Sequence, residues 1–443
     1  MRLFEDFKIK FESPDWSRSP ELGLIDTILE EHPHLVGLLA EDFTVGKKPS
    51  AFGRKDTPSM EQIVRAAIYK ELKGLEYREL EFHQIDSRVC AAFIKIDELR
   101  PYSFQVYQKY ISRIKAGNLQ KLLVELNKIA ISAGIEDIEK IRQDSTVVET
   151  NIHHPTNNSI LWDCIKEAYR LLGHLSQEVN GLNYMDYTKQ GKKTYFKINN
   201  TKGGKRKDLF GNQLRLFIKT INQVSNVIKK KPSFGIKAMI WASQLEEHIE
   251  VMQLVYDMAY LKEIKGEKVP NEEKIYSIYE QHTDIIVKGA RDIKFGHKVD
   301  FSSGKSNLVL NCRVLRGNPS DSKLFVPAID TIIGDYGKVP RDCSNDGGYA
   351  SLANQSYAKE KGIVNIVFNK IVGSLANIAT SKNMETRLKK WRSGMEAVIS
   401  NIKRGFNLRR CTWKGPEHFD TKVLWSVIAY NIRVMTGHIV KLV

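Results

Sequence analysis

Cysteine is scarce and scattered. Cys90, Cys164, Cys312, Cys343 and Cys411 are the five in 443 residues, and no two of them form a C-x-x-C pair. That spacing indicates neither a zinc site nor a disulfide framework, and it fits a reducing compartment. The opening MRLFEDFKIK mixes charges among its apolar residues and so has no hydrophobic signal core. No stretch approaches the roughly 20 apolar residues that span a bilayer. The chain is therefore expected to be soluble and intracellular, with no membrane partner. Internal repeats and low-complexity tracts are also missing.

What is abundant is positive charge. The net charge is +16, which favours a polyanionic partner, because neutralising phosphates releases condensed counterions. With 42% hydrophobic residues the chain can bury a sizeable core, and its length favours two or three domains.

An N-terminal segment, 1–56, ends in the loop-like run GKKPSAFGRKDTPS, which overlaps the start of the next region. From Thr57-Pro58-Ser59, capping chemistry opens a helix that Gly74 closes, with Ile63, Ala67, Ile68 and Leu72 as its apolar stripe. Further helices are predicted over 77–85, 104–114 and 119–132, so 57–137 reads as a helical domain for DNA binding or dimerisation. The β-branched cluster in IEKIRQDSTVVET, 138–150, predicts a strand. Helical spacing returns from 156 to about 282, interrupted by a polar, lysine-rich segment at 183–208. Alternation then resumes. His297, Val299 and Phe301 alternate with Lys298 and Asp300, Ser303-Gly304 follows, and Leu308, Leu310, Cys312 and Val314 form a second run, as in a hairpin. A strand at 363–368 and helices at 381–404 and 418–440 complete the pattern. A mixed α/β domain (138–155 with 291–443) interrupted by a mainly helical insertion (156–290) accounts for this order.

Three carboxylates stand out by context. Asp144 lies in the predicted strand, with Glu149 as an alternative on the same strand. Asp346 precedes two glycines in SNDGGYAS, and Glu396 lies in the helical WRSGMEAVISNIK. Arg392, Glu396 and Lys403 sit at offsets that fall within roughly 40° on a helix, so they share one face. A surface salt-bridge ladder would have the same spacing. Residues 382–414, however, hold ten Lys/Arg against two glutamates, and a lone carboxylate in a cationic face suits a metal ligand beside a phosphate track.

The spacing Arg392–Glu396–Lys403 resembles the R-(3)-E-(6)-K signature of bacterial insertion-sequence transposases with an Asp-Asp-Glu triad; Lys389 stands at the position of that signature's tyrosine. DGGYAS (346–351) and QDSTVVET (143–150) are similar to the family's second- and first-aspartate motifs. FGHKVDF (295–301) and VLRGNPSDS (314–322) resemble its second and third strands, and 61–81 resembles its helical N-terminal domain. The resemblance implies a ribonuclease H-like fold in which Asp144, Asp346 and Glu396 hold two Mg²⁺ ions, with Mn²⁺ able to substitute. It implies a homodimer on paired DNA ends that cleaves terminal inverted repeats and joins them to target DNA in a bacterial cytoplasm, associated with the nucleoid when DNA-bound. Such chemistry needs no covalent protein nucleophile, in keeping with the lack of a convincing serine or cysteine arrangement. Arg392, Lys403, Lys389 and Arg404 are then expected to contact phosphate.

A ribonuclease H-like nuclease that never joins strands, or a non-catalytic DNA binder derived from a transposase, remains an alternative. Residues 187–207 place eight Lys/Arg, among them Lys205, Arg206 and Lys207, beside Tyr187, Tyr195 and Phe196, as a DNA contact or as a solvated basic loop. His153 and His154 are adjacent and point to opposite faces of an extended segment, which argues against joint ligation. Trp413 reads as a packing residue.

Overall fold

Capping chemistry sets the first long helix of the N-terminal half that the sequence marks, Met60–Lys73. The computed structural model describes residues 16, 19–44, 57–97, 99–288, 292–371, 373 and 375–442. Most of the loop-like run at 46–59, and residues 1–15 of the N-terminal segment, lie outside the described residues. The chain begins with α1 (Pro20–Glu31), α2 (His34–Gly37), α3 (Ala40–Thr44) and α4 (Met60–Lys73). Ser59 and Gln62 form a reciprocal capping box at the start of α4, and Gly74 ends it in a left-handed conformation (φ 67°), as its sequence predicts. Then come α5 (Tyr77–Asp86), α6 (Arg88–Ile94), α7 (Phe104–Ile111), α8 (Ala116–Ser132) and the strand β1 (Lys140–Thr150).

The chain divides into two compact units, one of residues 1–149 with 297–443 and the other of residues 150–296. The second unit holds α9 (Asn157–Glu178), α10 (Thr188–Asn199), α11 (Lys205–Ile228), α12 (Ile236–Ala259) and β2 (Asp284–Lys288). Its core joins Leu161, Cys164 and Leu172 of α9 to Phe217 of α11 and Leu245 and Met252 of α12. Two features differ from the sequence reading. The lysine-rich segment contains a helix, α10, and β2 pairs antiparallel with the first residues of β3 (Asp292–Ser303), before the predicted hairpin.

The first unit continues through β3 and β4 (Val309–Val314), α13 (Phe325–Tyr336), β5 (Asp342–Asn345), α14 (Leu352–Glu360), β6 (Asn365–Phe368), α15 (Lys382–Arg392), α16 (Gly394–Gly405), β7 (Arg410–Cys411) and α17 (Pro416–Leu442). The β3–β4 hairpin is antiparallel with a bulge at Ser302/Ser303. β1 runs parallel to β5, and β5 parallel to β6, so the sheet is mixed, in the order β2-β3-β1-β5-β6 with β4 on β3 and β7 on β1. Helices cover both faces. Val148, Val299 and Phe301 join a core with α4, α8 and α17, while Ile141, Cys343 and Ile366 join one with α13. Burial on both faces explains why Lys298 and Asp300, expected to face outward by alternation, are buried as well.

The helices of 57–137 do not form a core of their own. Ile63 and Ile68 of α4 and Leu119 and Leu123 of α8 share one with Val423, Trp425 and Ile428 of α17. α17 also corrects the expectation that nothing approaches a membrane span. Its residues Pro416–Val440 are long and apolar enough to cross one, with mean hydropathy 1.2, but 67% of that window is buried inside the protein.

Candidate active site

Strand register builds the site. Gln143 of β1 lies opposite Asn345 of β5, and the next residues, Asp144 and Asp346, emerge together where the parallel pairing ends. Crevices at the carboxyl ends of parallel strands are where open α/β sheets take ligands. Asp346 leaves β5 into a short turn, Gly347–Tyr349. The two glycines serve close approach there. A Cβ on Gly347 would collide with the carbonyl oxygens of Asn369 and Lys370, and one on Gly348 would press against the Asp321 carboxylate.

One guanidinium gathers the three predicted carboxylates. Arg392 Nη2 lies 2.6 Å from Asp144 Oδ2 and 3.6 Å from Asp346 Oδ1, and its Nη1 lies 3.2 Å from Glu396 Oε1. The exposure of the partners rises outward: 8% for the Arg392 side chain, 18% for Asp144, 42% for Asp346 and 69% for Glu396. Arg392 therefore faces the protein's own acids instead of solvent, which alters the expectation of a direct phosphate contact. Its Nε is buried with no hydrogen-bond partner among the described residues.

The helix carrying Arg392 and Glu396 is not continuous. α15 ends at Arg392 and α16 begins at Gly394. Arg142 causes the break: its guanidinium donates to Trp391 O (2.7 Å), Ser303 Oγ (2.9 Å) and Asn307, and a Cβ on Gly394 would overlap it. Burial lowers the pKa of this guanidinium to about 10. Ser393 keeps helical dihedrals, so Arg392 still reaches Glu396 one turn on. Lys403 is turned inward too, donating to the Val147 carbonyl at 2.7 Å. Lys389 pairs with Glu385 (2.6 Å), and Arg404 is exposed. Glu149, five residues beyond Asp144 and so on the opposite strand face, pairs with Arg410 at 3.1 Å and stands apart from the cluster.

Behind the acids lies a network the sequence did not single out. Gln143 Nε2 donates to both oxygens of Asp300 (3.0 and 2.9 Å), and Tyr349 Oη donates to Asp300 Oδ1 (2.9 Å). Burial pushes Asp300 up to about 7 despite those donors and despite the charge of Arg313, its partner across the hairpin. Ser145 Oγ donates to Asp321 (2.9 Å), which Lys298 also meets at 3.1 Å. In this way the residues flanking Asp144 and Asp346 are fixed to β3 and to the loop after β4. A concavity of about 630 Å³ opens beside Asp346, lined by Gly347, Gly348, Ser351 and Lys370. Lys370 was also missed. It follows β6 in a left-handed conformation (φ 54°), unusual for a residue with a side chain.

The remaining predicted residues lie in the second unit. Lys205, Arg206 and Lys207 are exposed in the first turn of α11. Tyr195 stacks on Trp162 and Tyr187 packs edge-on against Tyr169, so both are engaged in packing, whereas Phe196 is 50% exposed. His153 faces Asp163 (3.3 Å) and His154 packs on Phe295. Trp413, in the first unit, is half-buried and packs at a tilt against Tyr77 at the edge of the core.

The donor set fits a hard cation. Three carboxylates, with no histidine or cysteine among them, already converge on one positive charge, and the two outer ones are open to solvent. As they stand, no three His, Cys, Asp or Glu side chains among the described residues are grouped closely enough to hold a metal ion.

Residues 297–432 match a family model, the transposase DDE domain. The match takes in Asp346, Arg392 and Glu396, while Asp144 precedes it. No curated protein and no solved structure matches the chain. Residues 297–432 are thus similar to a transposase DDE domain, consistent with a DDE-type insertion-sequence transposase.

Proposed function

We propose that the chain is a DNA transposase with a ribonuclease H-like catalytic core that cleaves the terminal inverted repeats of an insertion sequence and transfers the freed strands to target DNA. The observation that carries this reading is the meeting of Asp144, Asp346 and Glu396 on Arg392, where β1 stops pairing with β5 and at the start of α16. Asp144, Asp346 and Glu396 would hold Mg²⁺, or Mn²⁺ in its place. Two such ions supply activation of a water or 3′-hydroxyl and stabilisation of the leaving oxygen in an in-line displacement.

The chain's own residues do the rest. Arg392 is a positioning residue: it offsets the mutual repulsion of three acids and keeps them on one centre. Gln143, Asp300 and Tyr349 fix the backbone on either side, so that the carboxylates are placed before DNA arrives. Lys389 and Arg404, and Lys205, Arg206 and Lys207 on the second unit, supply phosphate contacts that position a strand without reading its sequence. Joining two element ends requires both to be held at once, so the working form is a homodimer on paired ends.

The test is cleavage of a plasmid carrying the DNA that flanks the reading frame, with Mg²⁺ or Mn²⁺. Asp346→Asn abolishes cleavage and leaves DNA binding intact. Cleavage by this variant at the wild-type rate would remove Asp346 from the site. Cut ends that are never joined to a second DNA would leave a nuclease.

A further inference from the structure

The second unit carries a cationic face that the chemistry of the acids does not use. Lys189, Lys192, Lys193 and Lys197 of α10 are all exposed, as are Lys202, Lys205, Arg206 and Lys207 after it, and no acid falls between 188 and 207. At about 100° per residue the four α10 lysines and Phe196 fit within an arc of roughly 140°. The opposite side of the helix holds the buried Gly191 and Ile198.

Several cations elsewhere in this unit find acids. Lys166 meets Asp163 at 2.7 Å, Arg170 meets Glu167 at 2.6 Å, and Lys231 meets Glu246 at 2.5 Å. None of the eight cations of 188–207 has an acidic partner among the described residues; Arg206 rests only on the Phe210 ring. Concentrating so much unpaired charge is unfavourable for the isolated unit and favourable only against a polyanion.

The face is also held firmly. Gly191 packs on Trp162, where a Cβ would sit 3.0 Å from the ring. Asn158 Nδ2 donates to Tyr195 O and to Asn199 Oδ1, both at 2.9 Å, and Tyr195 stacks on Trp162. A lysine-rich loop would lose conformational freedom when it met DNA, whereas a helix anchored on α9 has its cations already arrayed. Four residues along α10 advance about 6 Å, close to two phosphate steps of about 3.4 Å along one strand of a duplex.

We propose that the outer face of α10, continued by the start of α11, is a sequence-independent docking track for the phosphate backbone of duplex DNA. The proposal deepens the transposase reading and rests on it: this track holds DNA, and the acids of the other unit cut it.

The test measures binding of the full chain carrying Asp346→Asn, so that DNA is not consumed, to a labelled duplex of arbitrary sequence across a range of salt. Joint Lys189→Ala, Lys192→Ala, Lys193→Ala and Lys197→Ala lowers the slope of log affinity against log salt by about 0.9 for each phosphate left unneutralised, about 3.6 for four, and weakens binding at least tenfold near physiological salt. Arginine at the same four positions preserves the slope. An unchanged slope and affinity in the alanine variant would overturn the track while leaving the cleavage site untouched. A loss confined to single-stranded oligonucleotide, and reproduced by Phe196→Ala, would overturn the duplex assignment in favour of base stacking. Failure of the unaltered face to bind any duplex would overturn the transposase reading together with the track.

Discussion

Two short segments, 382–414 and 188–207, each carry a net charge of +8, and together they account for the chain's +16. They use it differently. In the first, several cations are turned onto the protein: Arg392 onto three carboxylates, Lys403 onto a backbone carbonyl and Arg410 onto Glu149. In the second, all eight face solvent, and among the described residues none meets an acid. Net charge alone does not distinguish the two cases. A cation on an internal partner sets local geometry, whereas an exposed one with no partner sets affinity for something outside.

The sharpest way to break this contrast is to remove the most inward cation. Arg392→Ala leaves three acids facing one another. Stability is expected to fall by about 2–3 kcal/mol, at or below the low end for stripping a buried charge of its partner, because Asp346 and Glu396 keep contact with water. Urea denaturation without divalent ions reads it, and an unshifted midpoint would mean that Arg392 is as idle as a surface lysine.

The next effect concerns an acid whose burial outweighs the cation across from it, Arg313. Asp300 is pushed up to about 7 by burial, against about 3.9 for an unfolded aspartate. Between these values the folded protein keeps a proton that the unfolded chain has released. Its contribution to stability is thus full below about 4 and is lost as pH rises through about 7. Asp300→Asn retains an oxygen for Gln143 and Tyr349 to reach and has no proton to lose. Melting from pH 4.5 to 7.5 is expected to show a flatter profile for the variant than for the wild type, and parallel profiles would remove Asp300 as a titrating group.

Lys403→Ala sharpens the boundary between the two kinds of cation. Losing the bond to Val147 O costs about 1 kcal/mol and leaves the salt dependence of DNA binding unchanged. A slope reduced by about one would place Lys403 with the outward group after all. The smallest effect per side chain belongs to the α10 lysines. Their joint replacement by alanine is expected to change stability by no more than about 0.5 kcal/mol for each position, by the same melts that detect Arg392→Ala. A larger fall would show that those side chains support the unit's own packing.

Much of this was legible in the sequence where local chemistry decides. The cap at Ser59, the stop at Gly74, the β-branched β1 and the β3–β4 hairpin follow from turn and strand preferences of the residues themselves. α10 was not legible because it buries so little: with Gly191 and Ile198 as its buried residues, an apolar stripe is nearly absent, and anchoring on Trp162 comes from another helix. The separation of α15 from α16 was hidden for a related reason, since Arg142 that forces it lies some 250 residues earlier. At the site, helical spacing placed Arg392 beside Glu396 but gave no sign that the guanidinium would turn onto Asp144. Asp300 looked like the solvent side of an alternating strand, and only a sheet covered on both faces makes it internal.

The 27-residue α17 has a consequence for synthesis of the chain. The apolar faces of α4 and α8 are completed by a helix that begins at residue 416, and α8 ends at residue 132. At ribosomal rates of about 5–20 residues per second, the early helices wait on the order of 15–60 s for their partner. During that interval the 150–296 unit, whose core draws on its own helices, is fully made. Growth of the chain thus delivers the anchored α10 face before the half that carries Asp346 and Glu396 can close, and a message broken shortly before codon 416 would yield the former without the latter.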